Sequence, residues 1–264
     1  MAKNQNAPQS RQDKIAAATP KQKKTTPIIA ALIVVVVLAA AAWAVISGMG
    51  SEPDTTGTEN SSGVPRGAES ESGGIVLGTA KEGAPRLDIY EDPQCPHCAT
   101  IHGLLGNTVN ELAESGRAKV VIHVKTFMDS NLRNDSSKRS ANGMMCAADL
   151  EKFQPFHDSV LENQSPSGDG WTDAQLEQLA QGAGITGQNL DAWKACQSDK
   201  TYDKYLAAVE DATARDGVNG TPLYRVNGKE IPLSEQMTGA DLEKAITDAG
   251  GEPAAATPAT SPSN

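Results

Sequence analysis

An unbroken apolar run of 19 residues extends from Ile28 to Ile46. As a helix rising about 1.5 Å per residue it is long enough to cross a bilayer. Trp43 stands near its end, where an indole favours the membrane interface. The periodic patterns resume only after residue 73. Period-two alternation predicts strands at Ile75–Leu77, Arg86–Glu91 and Lys119–Phe127, where Val120, Ile122 and Val124 alternate with other residues. Helical periodicity fills Ala99–Ser115, Ser137–Leu161, Thr172–Gln181 and Leu190–Thr213. A second strand block begins at Pro222, turns at Asn227-Gly228 and resumes at Lys229–Ile231, the pattern of a hairpin. A last helix spans Thr238 to Ala249, with a capping threonine before it and Gly250-Gly251 after it. The order is strands and a helix, a long helical block, then a hairpin and a helix.

Composition divides the rest of the chain. Residues 1–27 form a basic arm with Lys3, Arg11, Lys14, Lys21, Lys23 and Lys24 against Asp13 alone. Cations before the apolar run and none soon after it predict a cytoplasmic N-terminus, a transmembrane anchor at 28–46 and an exported remainder. Ala42-Trp43-Ala44 offers a small-x-small site, so a cleaved signal peptide is the alternative to a retained anchor. Residues 47–72, rich in Ser, Gly, Thr, Glu and Pro, read as a flexible linker, and 251–264 as a disordered tail. About 178 residues, 73–250, are left for one domain. The arm supplies +5 to a formal total of −10, so the remainder carries −15. An acidic exported domain argues against nucleic acid as a partner.

The chemistry concentrates at Cys95-Pro96-His97-Cys98, between a strand and a helix. Two cysteines three positions apart in a first helical turn can form and break a disulfide without refolding. Cys95, at the helix start, meets unpaired N–H groups and the positive end of the helix dipole, which favour a thiolate nucleophile. Pro96 stiffens the turn, since its missing N–H is not needed there. His97 is expected to stabilise the thiolate through its ring, and so to favour the reduced form. Cys98, one turn deeper, is expected to keep a higher pKa and to act as the resolving thiol.

Zinc is the competing use of such a pair, with His97 or His102 as further ligands. It is disfavoured because Cys146 and Cys196 lie far away in helix-like sequence, so no metal ligand set is assigned and no cofactor is called for. A short-loop structural staple is a second competitor, less suited to this spacing. In an exported chain Cys146 and Cys196, on helices of the long block, are expected to form a structural disulfide. Thr221-Pro222 opens the late strand, where a proline could be cis and expose the Thr221 backbone to an extended substrate. Glu91 and Asp92 precede the motif and one could exchange protons with Cys98. Acids at a strand end are expected to be exposed, however, and both are left outside the site. His102, His123 and His157 are read as isolated surface or packing residues, and Trp171, Trp193, Phe153 and Phe156 as the core of the helical block.

Cys95-Pro96-His97-Cys98, the helical block and Gly220-Thr221-Pro222 before a strand together resemble the DsbA-like family of thiol:disulfide oxidoreductases. Phe153-Gln154-Pro155-Phe156-His157-Asp158 and Gly217 through Gly228 extend the resemblance over residues 73–250. It implies an α/β thioredoxin-like fold with an inserted α-helical domain at about 132–214, and Cys95 exposed beside a cis-Pro222 loop. It further implies that a Cys95–Cys98 disulfide is donated to reduced exported polypeptides, with substrate along Thr221 and Pro222. The Ala-rich anchor and linker look like those of Gram-positive, actinobacterial relatives. In those a vitamin-K-epoxide-reductase-like membrane protein is the usual reoxidant. With no separate dimerisation domain before residue 73, a monomer is expected rather than a dimeric isomerase. Reduction or isomerisation at the same site, and a tethered chaperone-like binding module, stand as alternatives.

Overall fold

The computed structural model describes residues 63–164 and 169–253. The basic arm, the apolar run and most of the tail lie outside them. Among the described residues no helix is long and apolar enough to cross a membrane.

Three strands come first in the chain, β1 (Ile75–Leu77), β2 (Arg86–Glu91) and β3 (Lys119–Val124), with helix α1 (Pro96–Glu114) between β2 and β3. Six helices follow: α2 (Met128–Leu132), α3 (Ser136–Asp149), α4 (Phe153–Glu162), α5 (Asp173–Gly182), α6 (Gln188–Ser198) and α7 (Asp203–Arg215). The hairpin β4 (Leu223–Val226) and β5 (Lys229–Ile231) and the helix α8 (Gly239–Asp248) close the domain. The sheet order is β1-β3-β2-β4-β5, in which only β2 and β3 run parallel. The α/β thioredoxin-like fold with an inserted helical domain is therefore present.

In-phase positions explain the core. Leu87 and Ile89 of β2 pair with Val120 and Ile122 of β3. All four are buried on the face that takes Ile101, Leu105, Val109 and Leu112 of α1. Asn227 and Gly228, at φ 49° and 78°, supply the left-handed pair that a two-residue hairpin turn requires. Gly78, at φ 62°, is obligatory for a second reason: a Cβ there would stand 2.3 Å from the Ala113 carbonyl.

The structure departs from the periodicity at several points. The helix expected over Ser137–Leu161 is two helices, α3 and α4. Glu151 takes a left-handed φ of 58°, and Pro155 fits only within a first turn, where an absent N–H costs nothing. The helix expected over Leu190–Thr213 also breaks, at Lys200 (φ 51°). There the Tyr202 N–H donates to Asn142 Oδ1 at 2.9 Å. β3 stops at Val124 instead of Phe127 because β2 ends opposite it, and the Thr126 N–H turns to Glu210 Oε2 at 2.8 Å. The short α2 has no counterpart in the sequence reading.

The linker expected over 47–72 is contradicted in its last part. Ala68 bridges Ile75, Val64 packs on the core, and Glu69 pairs with Arg86 and Lys119 at 2.6 and 2.7 Å. The folded part thus begins no later than residue 63.

α5 starts with a capping box. Thr172 Oγ1 accepts from the Gln175 N–H, and Gln175 Oε1 accepts from the Thr172 N–H. Thr172→Ala is expected to cost about 1 kcal/mol in urea unfolding. An unchanged midpoint would mean that this helix end is held by packing alone.

Candidate active site

The end of β2 delivers the chain to the sheet's C-terminal edge, where Cys95 caps α1 and Pro96 takes its first position. The Cys95 carbonyl accepts from the N–H groups of Cys98 and Ala99 at 3.0 and 3.3 Å, so both sulfurs sit on the first turn. Thr221 and Pro222, joined by a cis peptide bond before β4, come to the same place. The Cys95 Sγ lies 3.4 Å from the Thr221 carbonyl oxygen. Both cysteines are free thiols. Cys95, implied to be exposed, is only 6% exposed, and Cys98 is 1% exposed. Leu161 at the end of α4 is buried in one small cluster with Cys95 and Cys98.

The two thiols are pushed in opposite directions. The Cys98 S–H, donating to the Cys95 sulfur, is the largest influence that lowers Cys95 to about 6 against the opposing effect of burial. The Thr221 side chain and the backbone N–H groups of Cys98 and His97 act in the same sense. Burial pushes the Cys98 thiol well above its ordinary value, and the charges of Cys95 and Glu91 add to it. His97 contributes through its backbone N–H, and its ring is exposed. Pro96 is likewise exposed on the rim.

Several residues set aside in the sequence are buried beside this site. Glu91 is 3% exposed and Asp92 0%, correcting the expectation of exposed acids. Asp92 accepts from the Gln94 N–H, the Met128 N–H and the Ser137 hydroxyl, so it caps the start of α2. Burial outweighs these bonds and raises its carboxyl to about 7. Asp129 of α2 in turn accepts the first N–H groups of α3, from Ser137 and Lys138. Gln164 donates to the carbonyls of Pro93 and Cys95 at 2.6 and 3.1 Å, fastening the loop before the nucleophile.

The three histidines are buried and partnered, contrary to their reading as isolated. His123 contacts Asp88 and stacks on Tyr90, and His157 lies between Glu91 and Asp158. Burial disfavours the His157 charge, but the Glu91 carboxylate and Asp158 prevail and raise it to about 10. The burial of Glu91 had a sequence signal, because it shares the phase of Leu87 and Ile89. Gln164 and Leu161 had none, since their contacts with the loop are non-local.

Away from the site, Cys146 of α3 and Cys196 of α6 form a disulfide with 5.9 Å between α-carbons. Trp171, Trp193, Phe153 and Phe156 are buried in the core with them.

A family model described as Thioredoxin matches residues 70–248. No curated protein matches the chain by sequence. Among solved structures, the reduced DsbA from Mycobacterium tuberculosis is 27% identical with a TM-score of 0.54, covering 72% of this chain and 93% of that one. The reduced disulfide bond oxidoreductase DsbG of the same organism is 28% identical at a TM-score of 0.53, covering 66% and 84%. MdbA from Actinomyces oris, a thiol-disulfide oxidoreductase, shares the fold at 23% identity and a TM-score of 0.60, covering 70% and 92%. With a paired Cys95 and Cys98 at the head of α1 and Thr221-Pro222 against them, the chain belongs to the thioredoxin family as a DsbA-like thiol–disulfide oxidoreductase.

Proposed function

We propose that this oxidoreductase works outside the cytoplasm, held by Ile28–Ile46, and donates the Cys95–Cys98 disulfide to newly exported polypeptides. The observation that carries the direction is the split between the two thiols, Cys95 lowered to about 6 and Cys98 raised. A dithiol that holds one sulfur as a stabilised thiolate is favoured over its disulfide, so the disulfide is a strong oxidant. A substrate thiolate attacks Cys95 Sγ, the Cys95–Cys98 bond breaks, and the Cys98 sulfur takes up a proton. A second substrate thiolate then attacks the substrate sulfur of the mixed disulfide and expels Cys95 as a thiolate. Two substrate thiols are oxidised, the enzyme disulfide is reduced, and one proton goes to solvent. Thr221 and Pro222 offer backbone groups to an extended client, which suits low sequence selectivity. A vitamin-K-epoxide-reductase-like membrane protein restores the disulfide, and the enzyme acts as a monomer.

Because only the reduced enzyme carries a titrating Cys95, the thiolate's contribution is complete above the ordinary thiol pKa. It is lost as pH falls through about 6. Thiolate absorbance of the reduced protein is therefore expected to rise with a midpoint near pH 6. Equilibration with glutathione is expected to give a potential nearer to about −120 mV than to about −270 mV, with about 30 mV per tenfold in equilibrium constant. A midpoint at the free-cysteine value of about 8.5 with a thioredoxin-like potential would overturn the oxidase direction.

A further inference from the structure

We propose that His102, His157 and Asp158 form a binding site for one divalent cation of the zinc class, apart from the cysteines. His102 comes from α1, His157 and Asp158 from α4, and their donor atoms all lie within 4.8 Å of one another. The same carboxylate oxygen, Asp158 Oδ1, is 2.9 Å from His157 Nδ1 and 3.7 Å from His102 Nε2. Zinc with bonds of about 2.0–2.1 Å to nitrogen and oxygen sets neighbouring ligands about 3.4 Å apart in a tetrahedron. The two observed spacings straddle that value and the third, between the two imidazoles, lies within 4.8 Å, so a cation draws the three side chains together as it enters.

The outer contacts are arranged as a metal site requires. His157 Nε2 is bonded to Glu91, which leaves Nδ1 facing the cluster in the carboxylate–histidine–metal pattern. Asp158 Oδ2 accepts from Asn110 Nδ2 at 2.9 Å, which leaves Oδ1 facing the same point. Gly106 makes room for the His102 ring, since a Cβ there would meet its Cε1 at 3.0 Å. A small cavity of about 10 Å³ adjoins the three side chains, about the volume that one water needs as a fourth ligand. On binding, the cation displaces a proton from His157 Nδ1 to solvent and takes over its positive charge between Glu91 and Asp158. Two imidazoles and a carboxylate suit zinc over the hard cations magnesium and calcium, which prefer oxygen throughout.

The test uses the full chain with both cysteine pairs oxidised, so that no thiol is available to a metal. Titrated with zinc alone against an indicator dye, the oxidised protein is expected to bind one equivalent at micromolar zinc or below. His102→Asn and Asp158→Asn are each expected to weaken binding at least tenfold. Glu91→Gln is expected to weaken it by about 10–100-fold through the second shell. Cobalt(II) in the unaltered oxidised protein is expected to give visible bands of a four-coordinate nitrogen and oxygen site, a readout that needs no variant to fold. Failure to retain one equivalent at tens of micromolar zinc overturns the proposal, as does binding by all three variants equal to that of the parent. Either result would leave the three residues as a hydrogen-bonded charge cluster only.

Discussion

Cys95→Ser is expected to reduce disulfide transfer to a reduced, unfolded polypeptide to the uncatalysed background, a loss on the order of 10³-fold or more. The hydroxyl cannot form the mixed disulfide, and Cys98 cannot take its place. Cys98 is 1% exposed, and burial, with the Glu91 charge beside it, holds it as a thiol at neutral pH even when Cys95 is gone. Cys98→Ser should behave differently when the client carries a disulfide, because Cys95 keeps a hydroxyl donor in place of the S–H and attacks that disulfide, expelling one client sulfur as a thiolate. That variant is expected to accumulate covalent complexes with clients, visible on non-reducing gels, without releasing oxidised product. Counting free client thiols over time separates the two. A chaperone-like binding module with idle cysteines predicts instead that Cys95→Ser still promotes client folding, and that outcome would remove the enzymatic reading.

Replacing Cys146 and Cys196 together by alanine is expected to cost about 4 kcal/mol, the chain-entropy value for a closed loop of 50 residues. For a domain of this size that corresponds to a melting temperature lower by roughly 8–16 °C. The bond joins α3 to α6 beside other ties between the same helices. Asn142 donates to Gln197 Oε1 at 2.9 Å, and Trp193 Nε1 donates to the Gly143 carbonyl at 2.9 Å. The insertion should therefore stay folded but loosen. The Cys95 thiolate midpoint should not move, since none of the groups that set it belongs to α3 or α6. Calorimetry and thiolate titration on the same double variant check both halves. A melting temperature within about 2 °C of the parent would show that the packed helices alone hold the insertion.

Local signals were readable where the physics is local. The Asn227-Gly228 turn, the Thr238 cap and the start of α1 at Cys95 each depend on a few adjacent residues, and each is found where its residues place it. The breaks at Glu151 and Lys200 were harder. Only Pro155 marks the first, and the second depends on Asn142 reaching the Tyr202 N–H from 60 residues away. The sulfurs and the Thr221-Pro222 loop were legible as a motif and its companion. Their surroundings were less so, although the phase of two polar residues agrees with the burial that the sequence reading did not expect. Glu91 follows Leu87 and Ile89, and His102 follows Cys98 by four along the buried face of α1. Their partners His157 and Asp158 come from another element, and no periodicity connects them.

Glu69 pairs with the first residues of β2 and β3, and the Arg66 N–H donates to Asp149 at the last turn of α3. Cys95 stands beyond the other end of β2, and the start of α3 is tied to Gln94. The polypeptide therefore enters the domain at one pole and does its redox chemistry at the opposite one, with the length of a strand, roughly 20 Å, between them. The proposed client path along Thr221 and Pro222 lies at that second pole, away from the point of entry. In the proposed anchored enzyme, the same separation would let a change of length or sequence before residue 63 alter its reach without altering what its cysteines do.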